Sequence, residues 1–200
     1  MKRMILIAAL LAAIPLAQAQ ERLSREQSLK YAFLVSVDLK QLQGTPIPTD
    51  PDVKLPVAVA DGDYGAMVLP ETRLNAEVLA KAGKDVTPVG QLWLHKLVPL
   101  GDGQVVPESK LRLVTVSGEE GRATVPCCAL GVRKDANGSL ELLVFGKDKE
   151  PVLRVPMKSV SAKQDSPIDL SAERKDDGGL LTLKVLGQYE ASFMVTDPER

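Results

Sequence analysis

The sequence contains few of the residues on which most active sites depend. Histidine and tryptophan each occur once among 200 residues, cysteine occurs twice, and aromatic side chains make up 4% of the chain. A single histidine excludes a zinc site built from several histidines. With so few aromatic residues, an aromatic sugar-binding face would require Trp93 and the tyrosines to cluster. The formal net charge is −1, with basic and acidic residues evenly mixed. This balance argues against nucleic acid as a partner, because nucleic-acid binding requires clustered Lys and Arg.

The longest apolar run lies at the start of the chain. Two basic residues precede apolar residues 4–16, and a small-residue motif ending at Ala19 follows. This order is typical of a cleaved secretory signal peptide, although a buried N-terminal helix is the alternative. The run is shorter than the about 20 residues that a transmembrane helix needs, and no later segment is long and apolar enough to cross a membrane. We therefore expect cleavage to remove residues 1–19. Residues 20–200 would then form one domain, periplasmic or secreted.

After this segment, short strand patterns alternate with turns. Runs rich in Val and Leu are separated by Gly, Asp or Asn at intervals of about 8–12 residues, which is typical of sandwiches and barrels. Hairpin turns are predicted at 61–63, 101–103 and 137–138. A parallel sheet would need crossover connections of about a dozen residues, whereas the sequence indicates one short helix around 74–82. We predict an all-β domain, with an antiparallel β-sandwich favoured over a barrel.

Two other segments carry specific predictions. Ser24 and Gln27 fit a capping box at the start of a helical turn, but alternation over residues 30–39 predicts that a strand follows at once. Four prolines within residues 44–56 predict an extended loop. The predicted core contains large apolar residues of the strands: Phe33, Val35, Trp93, Leu113, Val114, Leu142, Val144, Leu183 and Phe193.

Asp61, Asp63 and His95 are the first candidates for an enzyme site. Carboxylates and a histidine can act as acids, bases or metal ligands, so these three residues would suit a hydrolase or a metal-dependent enzyme. No nucleophile elbow, phosphate loop or EF-hand spacing supports that chemistry. Acidic residues beside glycine are also ordinary turn residues. Trp93, on the same predicted strand face as His95, is a further binding candidate, and no cofactor is predicted.

Cys127 and Cys128 are adjacent within a predicted strand. Neighbouring side chains in a strand point to opposite faces, so the two thiols are poorly placed to bond to each other or to share a metal. One interpretation is a pair of small core residues. The other is a thiol redox sensor or an intermolecular bridge, since export would place the thiols in an oxidising compartment.

Three functional hypotheses follow from these patterns. The leading one is an exported, non-enzymatic β domain, in the cell envelope or outside the cell, that binds a protein or glycan or has a structural role. The second is an enzyme with a site around Asp61, Asp63 and His95. The third is a redox sensor at Cys127 and Cys128.

Overall fold

The computed structural model describes residues 21–39, 46–118, 121–175 and 178–199. The predicted signal peptide, residues 44 and 45 of the predicted loop, and residues 176 and 177 lie outside these ranges. The strands in chain order are β1 (Glu21–Arg22), β2 (Val57–Asp61), β3 (Tyr64–Pro70), β4 (Thr87–His95), β5 (Val98–Gly101), β6 (Gln104–Val105), β7 (Leu113–Gly118), β8 (Gly121–Lys134), β9 (Leu140–Phe145), β10 (Pro151–Pro156), β11 (Lys158–Ser159), β12 (Ile168–Lys175), β13 (Gly178–Val185) and β14 (Tyr189–Thr196).

The strands form two antiparallel sheets. The first sheet has the order β1-β2-β3-β4-β8-β9-β10, with β7 paired to the first half of β8. The second has the order β12-β13-β14-β5-β6, with β11 paired to β14. Alternate residues of both sheets meet in one buried apolar cluster, which includes Leu92, Leu130, Leu142, Leu181 and Leu183. The prediction of an all-β, sandwich-like fold is therefore confirmed.

The predicted hairpin turns are present and have the expected backbone geometry. Gly62 connects β2 to β3 with a φ of 59°. Asp102 and Gly103 connect β5 to β6 with φ values of 51° and 75°. In the β5–β6 turn, positive φ at both central residues matches the right-handed twist of the strands. Gly62 and Gly103 adopt positive φ without steric cost.

The predicted strand over residues 30–39 is wrong, because this segment belongs to helix α1 (Arg25–Leu39). The capping box does form: the Ser24 N–H donates to Gln27 Oε1 (2.9 Å), and the Gln27 N–H donates to Ser24 Oγ (3.2 Å). Apolar residues occupy several sides of α1, and Phe33 is 70% exposed. The alternation therefore did not mark one buried face, and packing of α1 on the first sheet decides its conformation.

The short helix predicted around 74–82 is present as α2 (Ala76–Ala80). The Asn75 side chain accepts a hydrogen bond from the Val78 N–H (3.0 Å), which satisfies a donor at the helix start. The described chain thus has two α-helices rather than the one predicted, plus a 3₁₀ turn at Glu108–Lys110. None of its helices is both long and apolar enough to span a membrane.

Most of the predicted core is confirmed, with two errors. Phe33 lies on the solvent side of α1, and Leu113 lies on the outer side of β7 and is 41% exposed. We refer to residues 113–118 of β7 and 121–126 of β8 as the ribbon, because these segments pair with each other beyond the main body of the sheet. The correctly predicted core residues are Val35, Trp93, Val114, Leu142, Val144, Leu183 and Phe193.

The outer face of the first sheet is covered by other parts of the chain. Helix α1 packs there through Ala32 and Val35. The loop that contains the described part of the predicted 44–56 segment packs Ile47 against Phe145 on the same face. Ion pairs also join the edges of the two sheets, between Arg22 and Asp169 (2.9 Å) and between Arg174 and Asp61 (2.7 Å).

Candidate functional site

Four outward-facing residues of the first sheet lie side by side under α1. Ala58, Met67, Trp93 and Cys127 are in register across β2, β3, β4 and β8. Each is at most 6% exposed, and all belong to the apolar cluster that includes Val35 of α1. We call these four residues the buried row. They form an apolar floor beneath the helix.

A second row lies next to the first, nearer to the β2–β3 turn. Ala60, Gly65 and His95 are in register across β2, β3 and β4, and we call them the open row. A Cβ atom placed on Gly65 would lie 3.6 Å from the Val59 carbonyl oxygen and 3.8 Å from the His95 Cβ. These are ordinary contact distances, so a larger residue would fit at position 65 without a clash at its Cβ. With glycine there, the space above the sheet stays open.

A groove of about 580 Å³ lies over the open row and reaches Ala58, Met67 and Trp93 of the buried row. Tyr31 and Leu34 of α1, together with Val116 and Ala123 of the ribbon, line its sides. Small-molecule sites in proteins typically enclose about 300–1,000 Å³ and are mostly apolar with a few polar groups. The volume of the groove falls within this range and most of its lining is apolar, which makes it the candidate site.

Charged residues lie at the edge of the groove. The Lys96 ammonium is 3.0 Å from Asp63 Oδ2. Both side chains are more than half exposed, so solvent screens this pair. Lys30 of α1 and Arg122 of the ribbon also line the groove, and both are exposed. The groove thus combines an apolar interior with a charged rim.

Of the four candidates for an enzyme or binding site, the structure brings three to the groove and separates Asp61 from them. Asp63, Trp93 and His95 line it. Asp61 instead accepts hydrogen bonds from Nε and Nη2 of Arg174, at 3.1 and 2.7 Å. Side chains alternate along β2, so Asp61 lies on the side facing the second sheet, whereas Ala60 faces the groove. Asp61, Asp63 and His95 therefore do not form one cluster, and no metal-binding group of three such residues occurs within the described ranges.

The two cysteines lie on opposite faces of β8. Cys127 belongs to the buried row, and Cys128 lies between the sheets. Both are free and buried. Burial raises the pKa of Cys128 to about 12, and burial together with the neighbouring Cys128 raises the pKa of Cys127 well above its usual value. Because the thiolate is the reactive form, this environment favours the interpretation as small core residues.

Gln91 is a buried polar residue that the sequence did not single out. It is 2% exposed, and its Nε2 donates to Thr49 Oγ1 (2.8 Å). Its Oε1 accepts a hydrogen bond from the indole Nε1 of Trp93 (3.2 Å). Gln91 therefore fixes the Trp93 ring at the floor of the groove and ties the covering loop to the sheet.

Ala60 and Gly65 were also missed, because residues that create space have no chemical signature. A signal was nevertheless present in β2, where valine at positions 57 and 59 alternates with alanine at 58 and 60. Such alternation indicates that one strand face carries unusually small side chains. Comparison of the chain with protein-family models, with curated proteins and with solved structures finds no match.

Proposed function

We propose that the protein is an exported, non-enzymatic binding domain whose groove holds the apolar part of its ligand. The observation that carries this proposal is the groove itself, with its apolar floor and walls and its charged rim. Apolar burial supplies most of the affinity at such sites, and a few polar groups orient the ligand.

The geometry gives less support to an enzyme built on Asp61, Asp63 and His95. Asp61 is paired with Arg174 near the second sheet, and Asp63 is paired with Lys96 in solvent. Asp63 and His95 both line the groove, but Asp61 does not, so the three residues do not share one site. A general acid or base must lie within hydrogen-bond reach of the group it serves.

Trp93 offers a direct test of binding, because it is the only tryptophan and it lines the groove. The neutral apolar dye N-phenyl-naphthylamine should bind with one-to-one stoichiometry and accept excitation energy from Trp93. Gly65→Leu should weaken this binding at least tenfold, because the new side chain would occupy the groove without backbone strain.

The matched control is Ser171→Leu, which places the same side chain on the exposed outer face of the second sheet. This variant should bind the dye as the unmodified protein does. The binding proposal fails if Gly65→Leu and Ser171→Leu bind equally well. It also fails if the purified protein turns over a substrate and His95→Ala abolishes the turnover.

Export rests on the N-terminal sequence pattern and has its own test. Expression of the full chain in a bacterial host should yield protein outside the cytoplasm with Gln20 as its first residue. Mass spectrometry of the intact protein measures this, and cytoplasmic protein that retains residues 1–19 would contradict it.

A further inference from the structure

We infer that the outer face of the second sheet associates weakly with a second copy of itself, with Lys184 of each copy facing Glu190 of the other. No residue of this face lines the groove, so the association is independent of the binding function. Two observations carry it. Charges alternate in sign across β12, β13, β14 and β11, and neighbouring rows of the face match each other under two-fold symmetry.

Charges of alternating sign cross the second sheet in a single row. Registered residues of neighbouring strands lie on the same face of a sheet, so the row follows from the strand pairing. Asp169 is in register with Lys184, Lys184 with Glu190, and Glu190 with Lys158. We call these four residues the charged row. The row lies on the outer face, because the neighbours of Asp169 and Lys184 along their strands are buried between the sheets.

Two-fold symmetry makes the charged row complementary to itself. An axis parallel to the strands and midway between β13 and β14 places β13 of one copy over β14 of the other. Lys184 of each copy then faces Glu190 of the other, and Asp169 of each copy faces Lys158 of the other. A two-fold dimer needs such a self-complementary patch, because both copies contribute the same surface.

The same axis matches the two rows that follow the charged row along the strands. Thr182 of one copy faces Ser192 of the other, so hydroxyl groups meet hydroxyl groups. Leu180 of one copy faces Met194 of the other, and both side chains are apolar and partly exposed. All three rows therefore meet rows of matching chemistry in the second copy.

The charges nearest the axis are not used by ion pairs within the same copy. Asp169, at one end of the charged row, is already paired with Arg22 at 2.9 Å. In the described part of the chain, no ion pair joins Lys184, Glu190 or Lys158 to another residue. Lys184 and Glu190 therefore carry the electrostatic part of the association.

The size of the face predicts that the association is weak. The strands β12, β13 and β14 each have eight residues. With one further strand position at their edge, they present roughly 500 Å² per copy, or roughly 1,000 Å² in total. Specific interfaces of this size lie at the small end of the known range. We therefore expect dimers at concentrations of about 100 μM and above.

Charge reversal on either side of the axis tests the pairing. Lys184→Glu and Glu190→Lys should each weaken self-association at least tenfold, because two-fold symmetry turns one substitution into two like-charge contacts. The double variant restores opposite charges and should associate as the unmodified protein does. Sedimentation velocity of protein expressed from the full chain measures association at concentrations up to about 1 mM.

A mixture of the two single variants separates association between copies from effects within one copy. Lys184 and Glu190 are also neighbours in one sheet, so each single variant carries like charges side by side. That repulsion remains in the mixture. Across the axis, however, the two introduced charges face each other, and so do the two original ones. The mixture should therefore form heterodimers although neither variant associates alone.

The matched controls reverse exposed charges away from this face. Lys149→Glu lies in the β9–β10 turn, and Glu108→Lys lies in the 3₁₀ turn. Each control should associate as the unmodified protein does, and mixing them should not strengthen association, which excludes attraction by net charge alone. An unmodified protein that stays monomeric at about 1 mM would overturn the inference. So would single variants that associate normally, or a mixture or double variant that fails to restore the dimer.

Discussion

Both sheets are antiparallel, but their outer faces differ: one is apolar and covered, and the other is polar and exposed. The outer face of the first sheet carries Met67 and Trp93 and is covered by α1 and a loop. The outer face of the second sheet carries Ser171, Thr182 and Ser192 in register, with Thr182 Oγ1 and Ser192 Oγ 2.7 Å apart. Ser171 and Ser192 are exposed.

This difference explains why the groove lies where it does. A face that meets water needs only polar side chains, whereas an apolar outer face must be covered by other parts of the chain. Helix α1 and the ribbon cover the first sheet incompletely above Ala60 and Gly65. Space remains there because alanine has a small side chain and glycine has none. The candidate site is the gap in that cover.

Replacing Trp93 on the covered face should have the largest effect on the free energy of unfolding. Trp93→Ala is expected to cost about 3–5 kcal/mol of unfolding free energy, because a large buried ring is lost from the covered face. Ser192→Ala on the open face should change it by less than about 0.5 kcal/mol. Urea unfolding followed by circular dichroism measures both, since Trp93→Ala removes the fluorescent reporter. Similar values for the two variants would contradict the contrast.

Alkaline pH should destabilise the protein through its buried thiols. In the unfolded chain a cysteine ionises near its ordinary pKa, whereas burial raises the pKa of Cys128 to about 12 in the folded state. The unfolded state then binds fewer protons above about pH 9, so the unfolding free energy falls as the pH rises. The slope approaches about 1.4 kcal/mol per pH unit for each such thiol.

Cys128→Ala should reduce this slope between pH 9 and pH 12, the range set by the raised pKa. Cys127→Ala, which removes the thiol under α1, should reduce it in the same direction, because burial raises the pKa of Cys127 as well. Urea midpoints across this pH range provide the measurement. Parallel curves for the three proteins would show that neither thiol is held in its neutral form by folding.

A smaller effect distinguishes the two sides of α1. Val35→Ala should cost about 1–3 kcal/mol, because Val35 packs on the covered face. Phe33→Ser should change stability by less than about 0.5 kcal/mol, because Phe33 is 70% exposed. In a strand these two residues would share a face and respond alike. Equal losses for both variants would therefore support the rejected strand.

The smallest effect is expected where the edges of the two sheets meet. The ion pair between Asp61 and Arg174 is 31% and 58% exposed at its two side chains, so solvent screens it. A double-mutant cycle with Asp61→Asn and Arg174→Gln should give a coupling energy of less than about 1 kcal/mol, decreasing with salt. A coupling of several kcal/mol would show that this ion pair, rather than the apolar core, joins the sheets.

The sequence predicted the strands and turns well because each depends on neighbouring residues. Asp102 and Gly103 adopt the positive φ that their hairpin requires. The residues of β13 alternate between buried and half-buried, as strand residues with one covered face do. The conformation of residues 30–39 was mispredicted because apolar side chains occur on several sides of α1. Period two and period 3.6 are poorly separated in so apolar a segment.

The sequence by itself determined an antiparallel β protein, because side-chain alternation and turn chemistry are local properties of the chain. It also determined that Cys127 and Cys128 point to opposite faces, since adjacent strand residues must do so. Only the tertiary structure decided that α1 covers the first sheet, that Asp61 lies apart from Asp63 and His95, and that a groove remains. These features depend on contacts between residues distant in sequence. No residue type in the sequence marks an empty space above alanine and glycine.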